Sequence, residues 1–225
     1  AALLLPLSGA LSLQGATFVI GVVVSPAAVA VFSATRILTR FPLQVASILA
    51  RATLPELTIS QAQGATGKFD ILALTNVYFA IAVTIPAAVL IILFGDIFLH
   101  ILSKGHLVAT LGLFIVLSVS MVLQTYWNSV AIALIALNLQ HRFVQYSLSF
   151  AVASLAFFTV MLHFWSLPSA FVVFVVFDLL LSIVVTRTWM RETGFDLLRF
   201  RVATDEIGRL IVVLGARFFK TSPTG

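Results

Sequence analysis

The feature that most constrains this chain is a series of long stretches without a charged side chain. No Asp, Glu, Lys or Arg occurs between Ala1 and Thr35, Ile71 and Gly95, Leu107 and Gln140, or Phe143 and Phe177. A hydrocarbon core about 30 Å thick takes roughly 20 helical residues to cross, so each stretch is long enough for at least one transmembrane helix. Composition points the same way, with 61% hydrophobic residues, 9% charged residues and a mean hydropathy of +1.15. Soluble domains carry about a quarter charged residues, and disordered chains need low hydrophobicity. Both classes are excluded. The 225 residues therefore predict an all-α, polytopic transmembrane bundle.

Breakers divide the uncharged runs into six expected spans, at residues 3–24, 26–57, 71–94, 107–137, 143–162 and 169–186. Ser25-Pro26 separates the first two, with Pro in its favoured first-turn position, and Pro42 predicts a kink within the second. Ser60 to Asp70 reads as a loop, and Gly95-Asp96 with Ser103-Lys104-Gly105 marks another turn. Residues 1–190 then form one transmembrane lobe and 191–225 a tail. From Arg187 onward, Trp189, Phe195, Leu198, Phe200 and Ile207 to Leu214 suggest a segment lying along the membrane surface. The chain opens Ala1-Ala2-Leu3 with no basic residue ahead of its apolar run, so its start is expected to lie inside a longer protein and not to be a signal peptide.

Basic residues orient the spans. Alternate connections carry Arg51 and Lys68, then Arg142, then Arg187, Arg191, Arg199 and Arg201, whereas the intervening ones carry only Lys104. The positive-inside rule places the first set, and both ends of the segment, in the cytoplasm. No soluble basic module gathers the charge, so nucleic acid is not an expected partner; membrane lipids are. Cysteine is absent, which removes disulfides and thiolate metal sites. His100, His106, His141 and His163 lack metal-ligand spacing, and neither a Gly-rich phosphate loop nor a nucleophile elbow occurs. No catalytic residue, metal or cofactor is expected.

The most informative element is the second span. Ser33, Arg36, Arg40, Gln44, Ser47 and Arg51 recur every three or four residues, which places them on one arc of a helix. Arg36 lies roughly 15 Å below the outer end and Arg40 one turn deeper. An Arg at the bilayer centre costs about 2.5 to 3.5 kcal/mol on insertion scales, so both should face protein or water. They read either as anchors bonded to backbone carbonyls or an acid, or as the cationic wall of a cavity for an anion. Guanidinium forks suit phosphate or pyrophosphate oxygens. Gln14 with Thr17, Gly21 and Ser25 on the first span, and Ser120, Gln124 and Asn128 on the fourth, offer further polar arcs that suit either cavity lining or interhelical packing. Asp178, deep in the sixth span, is expected either to exchange a proton or to pair with an Arg of a neighbouring helix.

Several of these residues also carry a resemblance. Leu13-Gln14-Gly15, Ile20-Gly21, Ala27 to Phe32, Thr35-Arg36, Arg40, Gln44 and the segment Arg51-Ala52-Thr53-Leu54-Pro55-Glu56-Leu57 resemble the polysaccharide-transport branch of the multidrug/oligosaccharidyl-lipid/polysaccharide flippase superfamily. The resemblance implies a C-terminal lobe whose Pro55-Glu56 pair closes a helix on the cytoplasmic side, in a bacterial inner membrane. It implies alternating-access export of an oligosaccharide on an undecaprenyl pyrophosphate carrier, with Arg36 and Arg40 contributing to a cationic cavity and an N-terminal lobe of the same protein as partner. Peptidoglycan-precursor flippases and cation-coupled drug exporters share that fold. A six-span chain departs from the family's twelve to fourteen spans.

Overall fold

The structure is a computed structural model that describes residues 4–196 and 199–209. Six helices account for nearly all of it: α1 (Leu4–Val23), α2 (Pro26–Ala62), α3 (Thr66–Ser103), α4 (Leu111–Ala136), α5 (His141–Phe164) and α6 (Leu167–Thr193). Residues 199–209 form a short tail helix. No strand occurs among the described residues. Ser25 caps α2, its hydroxyl accepting from the Ala28 amide at 3.1 Å, and Pro26 begins the first turn.

Two expected boundaries move. The Ser60 to Asp70 loop contracts to residues 63–65, because α2 extends to Ala62 and α3 starts at Thr66. Leu57 and Ser60 on α2 and Phe69 and Ala73 on α3 are buried there, so packing carries both helices past the end of their apolar runs. α2 also continues as one helix through Pro42 and Pro55. Nor does Gly95-Asp96 turn the chain; α3 continues to Ser103. Gly95 instead admits the ring of Phe114, since a Cβ at that position would stand 2.7 Å from two ring atoms. Phe114 is only 2% exposed and has nowhere to move. Gly95→Ala should therefore destabilise the bundle by about 1 to 3 kcal/mol, the usual cost of overpacking, and lower the thermal midpoint in detergent.

Short connections join consecutive helices, so the chain runs up and down. The connections at 63–65 and 137–140, together with residues 187–196 and 199–209, lie at one end, termed the basic end. Those at 24–25, 104–110 and 165–166 lie at the opposite end. Five helices close a ring in the order α1, α2, α4, α6, α5, each packing on the next and α5 returning to α1. α3 stands outside the ring, in the groove between α2 and α4.

A ring of five leaves space at its axis. With neighbouring axes about 9 to 10 Å apart, each axis lies about 8 Å from the centre, beyond the roughly 5 to 6 Å radius of a helix with its side chains. Apolar clusters pack towards both ends of the bundle. At the basic end a buried apolar cluster includes Leu57, Phe69, Leu134, Phe143, Val185 and Trp189. At the opposite end another includes Ile20, Phe32, Leu113, Phe114, Phe158 and Phe171. Phe32, Phe158, Phe171 and Phe174 pack there in successive ring contacts of 4.7 to 5.6 Å.

The exterior is apolar: Phe18, Ile37, Ile48, Leu93, Ile101 and Val160 are among many large hydrophobic side chains more than half exposed. α3, α4, α5 and α6 are each long and apolar enough to cross a membrane. This is a multi-pass membrane protein. α1 and α2 do not meet the same measure, but α1 packs on α5 and α2 on α3 and α4, so both stand within the bundle.

Candidate functional site

Between the two apolar clusters the ring is not filled. α1 contributes Ser8, Gly9, Ser12 and Ala16 to its inner wall, and α5 contributes Ser147, Ala151 and Ser154. These small residues recur every three or four positions, which lets the two helices approach closely enough for the Ser8 and Ser147 hydroxyls to bond at 2.8 Å. The same stripes leave a cavity of about 140 Å³, bounded further by α2, α4 and α6. At about 30 Å³ per water in the liquid it holds on the order of five waters.

Arg36 and Arg40 of α2 both line this cavity. Their environments differ. Arg36 reaches across to α1, donating through Nη1 to the Leu13 carbonyl at 3.4 Å and to the Thr17 hydroxyl at 3.3 Å, and its guanidinium lies over the Phe32 ring at 5.4 Å. A guanidinium has five N–H donors, and those on Nε and Nη2 make no hydrogen bond among the described residues. Arg40, one turn nearer the basic end, has no hydrogen bond or ion pair among the described residues. The ion pairs found there are Lys68–Glu56, Arg142–Glu192 and Arg199–Asp70, and none of their residues lines the cavity.

Asp178 of α6 also lines the cavity. It is not paired with either arginine among the described residues. Oδ2 accepts from the Ser120 hydroxyl at 2.5 Å and Oδ1 from the Trp127 indole N–H at 3.3 Å, so the carboxylate ties α6 to α4 at two points. The cavity therefore carries two guanidinium groups against one carboxyl that is already occupied by hydrogen bonds. Two like charges a helical turn apart, about 6 Å, repel by about 3 kcal/mol at an effective dielectric of 20. A bound anion relieves that repulsion.

Gln124 joins the arginines in the wall, but Gln44, Gln14 and Asn128 do not line the cavity. The reason is helical drift: a step of four residues turns about 400°, so each repeat advances about 40° around the axis. Gln44 is thus about 80° away from Arg36, and it is exposed. The cavity side of α2 is Phe32, Arg36, Thr39, Arg40 and Leu43. Asn128 lies one step past Gln124 and donates to its carbonyl at 2.9 Å. Gln14 is exposed, about 100° around α1 from cavity-lining Leu13.

The serines of α1 and α5 and the Trp127 donor are site residues that the polar arcs did not single out. The signal for the serines was present as small residues at 8, 12 and 16 and at 147, 151 and 154. Of the tail residues, Leu198 and positions 210–225 lie outside the described residues. Comparison with family models, with curated proteins and with solved structures finds no match to this chain.

Proposed function

We propose that this chain is a lobe of a membrane transporter that moves an anionic, phosphate-bearing lipid across the bilayer, with a lipid-linked oligosaccharide on an undecaprenyl pyrophosphate carrier as the cargo. One observation carries the reading: Arg40 stands in a cavity inside a transmembrane ring, beside Arg36, with no carboxylate partner among the described residues. An unpaired cation at that depth is costly unless something anionic visits it. With the basic end cytoplasmic, as the positive-inside rule has it, the cavity lies between an inner and an outer apolar closure. That arrangement suits alternating access, in which the two closures open in turn.

Cavity size limits what enters. About 140 Å³ takes a phosphate-sized headgroup and its waters, not an oligosaccharide. The charged group is held within the ring, and the sugars and polyprenyl chain remain outside it. The test is translocation of a fluorescent polyprenyl-pyrophosphate sugar in vesicles containing the whole protein. Loss of translocation in Arg40→Ala, with the protein still inserted, supports the reading; wild-type rates would overturn it.

A second reading, a non-transporting scaffold subunit, draws on Arg36, whose bonds to Leu13 and Thr17 join α1 to α2. On that reading both arginine variants are lost by degradation before any transport defect can be measured.

A further inference from the structure

The tail helix carries an inference that does not depend on the cargo. α3 and α6 do not pack against each other as helices, yet both reach the basic end. Residues 194–196 and 199–209 join them there. Gly194, in the left-handed conformation at φ 61°, ends α6 and lets the chain turn back. Phe195 then stacks on Trp189 at 4.3 Å. The Asp196 carboxylate caps the new helix, accepting from the Arg199 amide at 2.9 Å.

Arg199 is the fastener. Its Nη2 and Nε donate to Oδ2 of Asp70 on α3 at 2.6 and 2.9 Å, while Nη1 donates to the Thr193 carbonyl of α6 at 2.7 Å. Asp70 is 3% exposed, whereas both members of the Lys68–Glu56 pair are about half exposed. Removing Arg199 leaves a buried carboxylate with no countercharge. A second tie joins the Tyr78 and Thr204 hydroxyls at 3.0 Å.

The docked face of this helix is continuous with the apolar cluster that also supplies part of the cavity wall. Phe195, Ala203 and Ile207 belong to the same buried apolar cluster as Trp127 and Leu181, which line the cavity wall. Val202, Asp205 and Glu206, on the other face, are exposed. The helix is thus short and held on one side only, and the Oδ1 of Asp70 beneath it has no hydrogen-bond partner among the described residues. Such segments open at lower free energy than the bundle they cover.

We propose that the tail helix is a detachable seal, fastened by Asp70 and Arg199. Docked, it completes the apolar closure between the cavity and the basic side of the membrane. Released, it uncovers that closure and admits water and solutes to the cavity from the basic side.

The chain has no cysteine, so single reporters can be placed without background. Gln124→Cys reports on the cavity and Ala170→Cys, fully buried in the opposite cluster, reports on the rest of the bundle. Each is labelled in the whole protein in vesicles, with a membrane-impermeant thiol reagent added on the side that carries the tail. Arg199→Ala should speed labelling at position 124 about tenfold or more and leave position 170 unlabelled. The charge exchange Asp70→Arg with Arg199→Asp should return position 124 to the slow rate. An unchanged rate at position 124 in Arg199→Ala overturns the seal. Faster labelling at both reporters also overturns it, because the loosening is then general, and so does failure of the charge exchange to restore protection.

Discussion

Arg40→Ala is expected to slow translocation of a pyrophosphate-linked lipid by about 10- to 100-fold while the protein stays at normal abundance in the membrane. A hydrogen bond to a charged group is worth about 1.5 to 3 kcal/mol, and each 1.4 kcal/mol is tenfold in an equilibrium constant. Stability should not fall, because among the described residues Arg40 has no hydrogen bond or ion pair to lose. Removing an unpaired guanidinium from the membrane interior is neutral or mildly stabilising. Arg36→Ala should behave differently. It forfeits the bonds to Leu13 and Thr17 and the contact with Phe32, so it should lower the thermal midpoint as well as transport. Arg40→Lys keeps the charge but not the planar fork and should retain only part of the rate. The informative result is the contrast between the two alanine variants. If Arg40→Ala transports normally, the cavity does not hold the cargo's anion; if both variants are equally unstable, the arginines are structural.

Asp178 gives the second large effect. Among the described residues, Asp178→Ala removes the only acceptor of Trp127 Nε1 and of the Ser120 hydroxyl, and Trp127 is only 9% exposed. Two bonds to a carboxyl group are lost and buried donors are left unmade, for a cost of about 3 kcal/mol in unfolding free energy. Asp178→Asn separates that structural role from chemistry. Its carbonyl oxygen still accepts from Trp127 and its amide donates to Ser120, so the tie between α4 and α6 survives. An amide cannot exchange a proton. If Asp178 couples a proton to transport, Asp178→Asn folds normally and its transport no longer responds to a pH gradient across the vesicle. A full response in that variant assigns Asp178 to holding α4 against α6 and to nothing more. The absence of an ion pair to Arg36 or Arg40 in the structure makes this experiment clean, because neither arginine loses a partner when the charge is removed.

Much of the architecture was legible because a hydrocarbon solvent imposes long apolar helices, and Ser25-Pro26 and Ser166-Leu167-Pro168 are strong local stops. The boundaries that moved were set by packing. Gly95 reads as a breaker in isolation, yet it is helical because Phe114 occupies the space that its missing Cβ leaves. Thr66, Gly67 and Lys68 read as loop, yet they belong to α3 because Phe69 and Ala73 are buried against neighbours beyond the apolar run. At the site, Arg36, Arg40 and Asp178 stand out from sequence because charge within a span is rare. Gln14, Gln44 and Asn128 could not be assigned a face with the same certainty. An amide is tolerated on several sides of a helix, and a spacing of four drifts off any one of them. In the tail region, Trp189, Phe195 and Ile207 are apolar enough for a membrane surface, and the structure buries these three in the bundle's own cluster.

The sequence by itself determined the solvent, the helical class and the exceptional character of two arginines and one aspartate, because transfer free energies act on each residue where it stands in the chain. Only the tertiary structure decided that these three share one cavity, that α3 is excluded from the ring, and that Asp70 and Arg199, 129 positions apart, meet. Those outcomes depend on which helices pack together, and side-chain shape across five helices sets that packing. No single stretch of the chain contains that information.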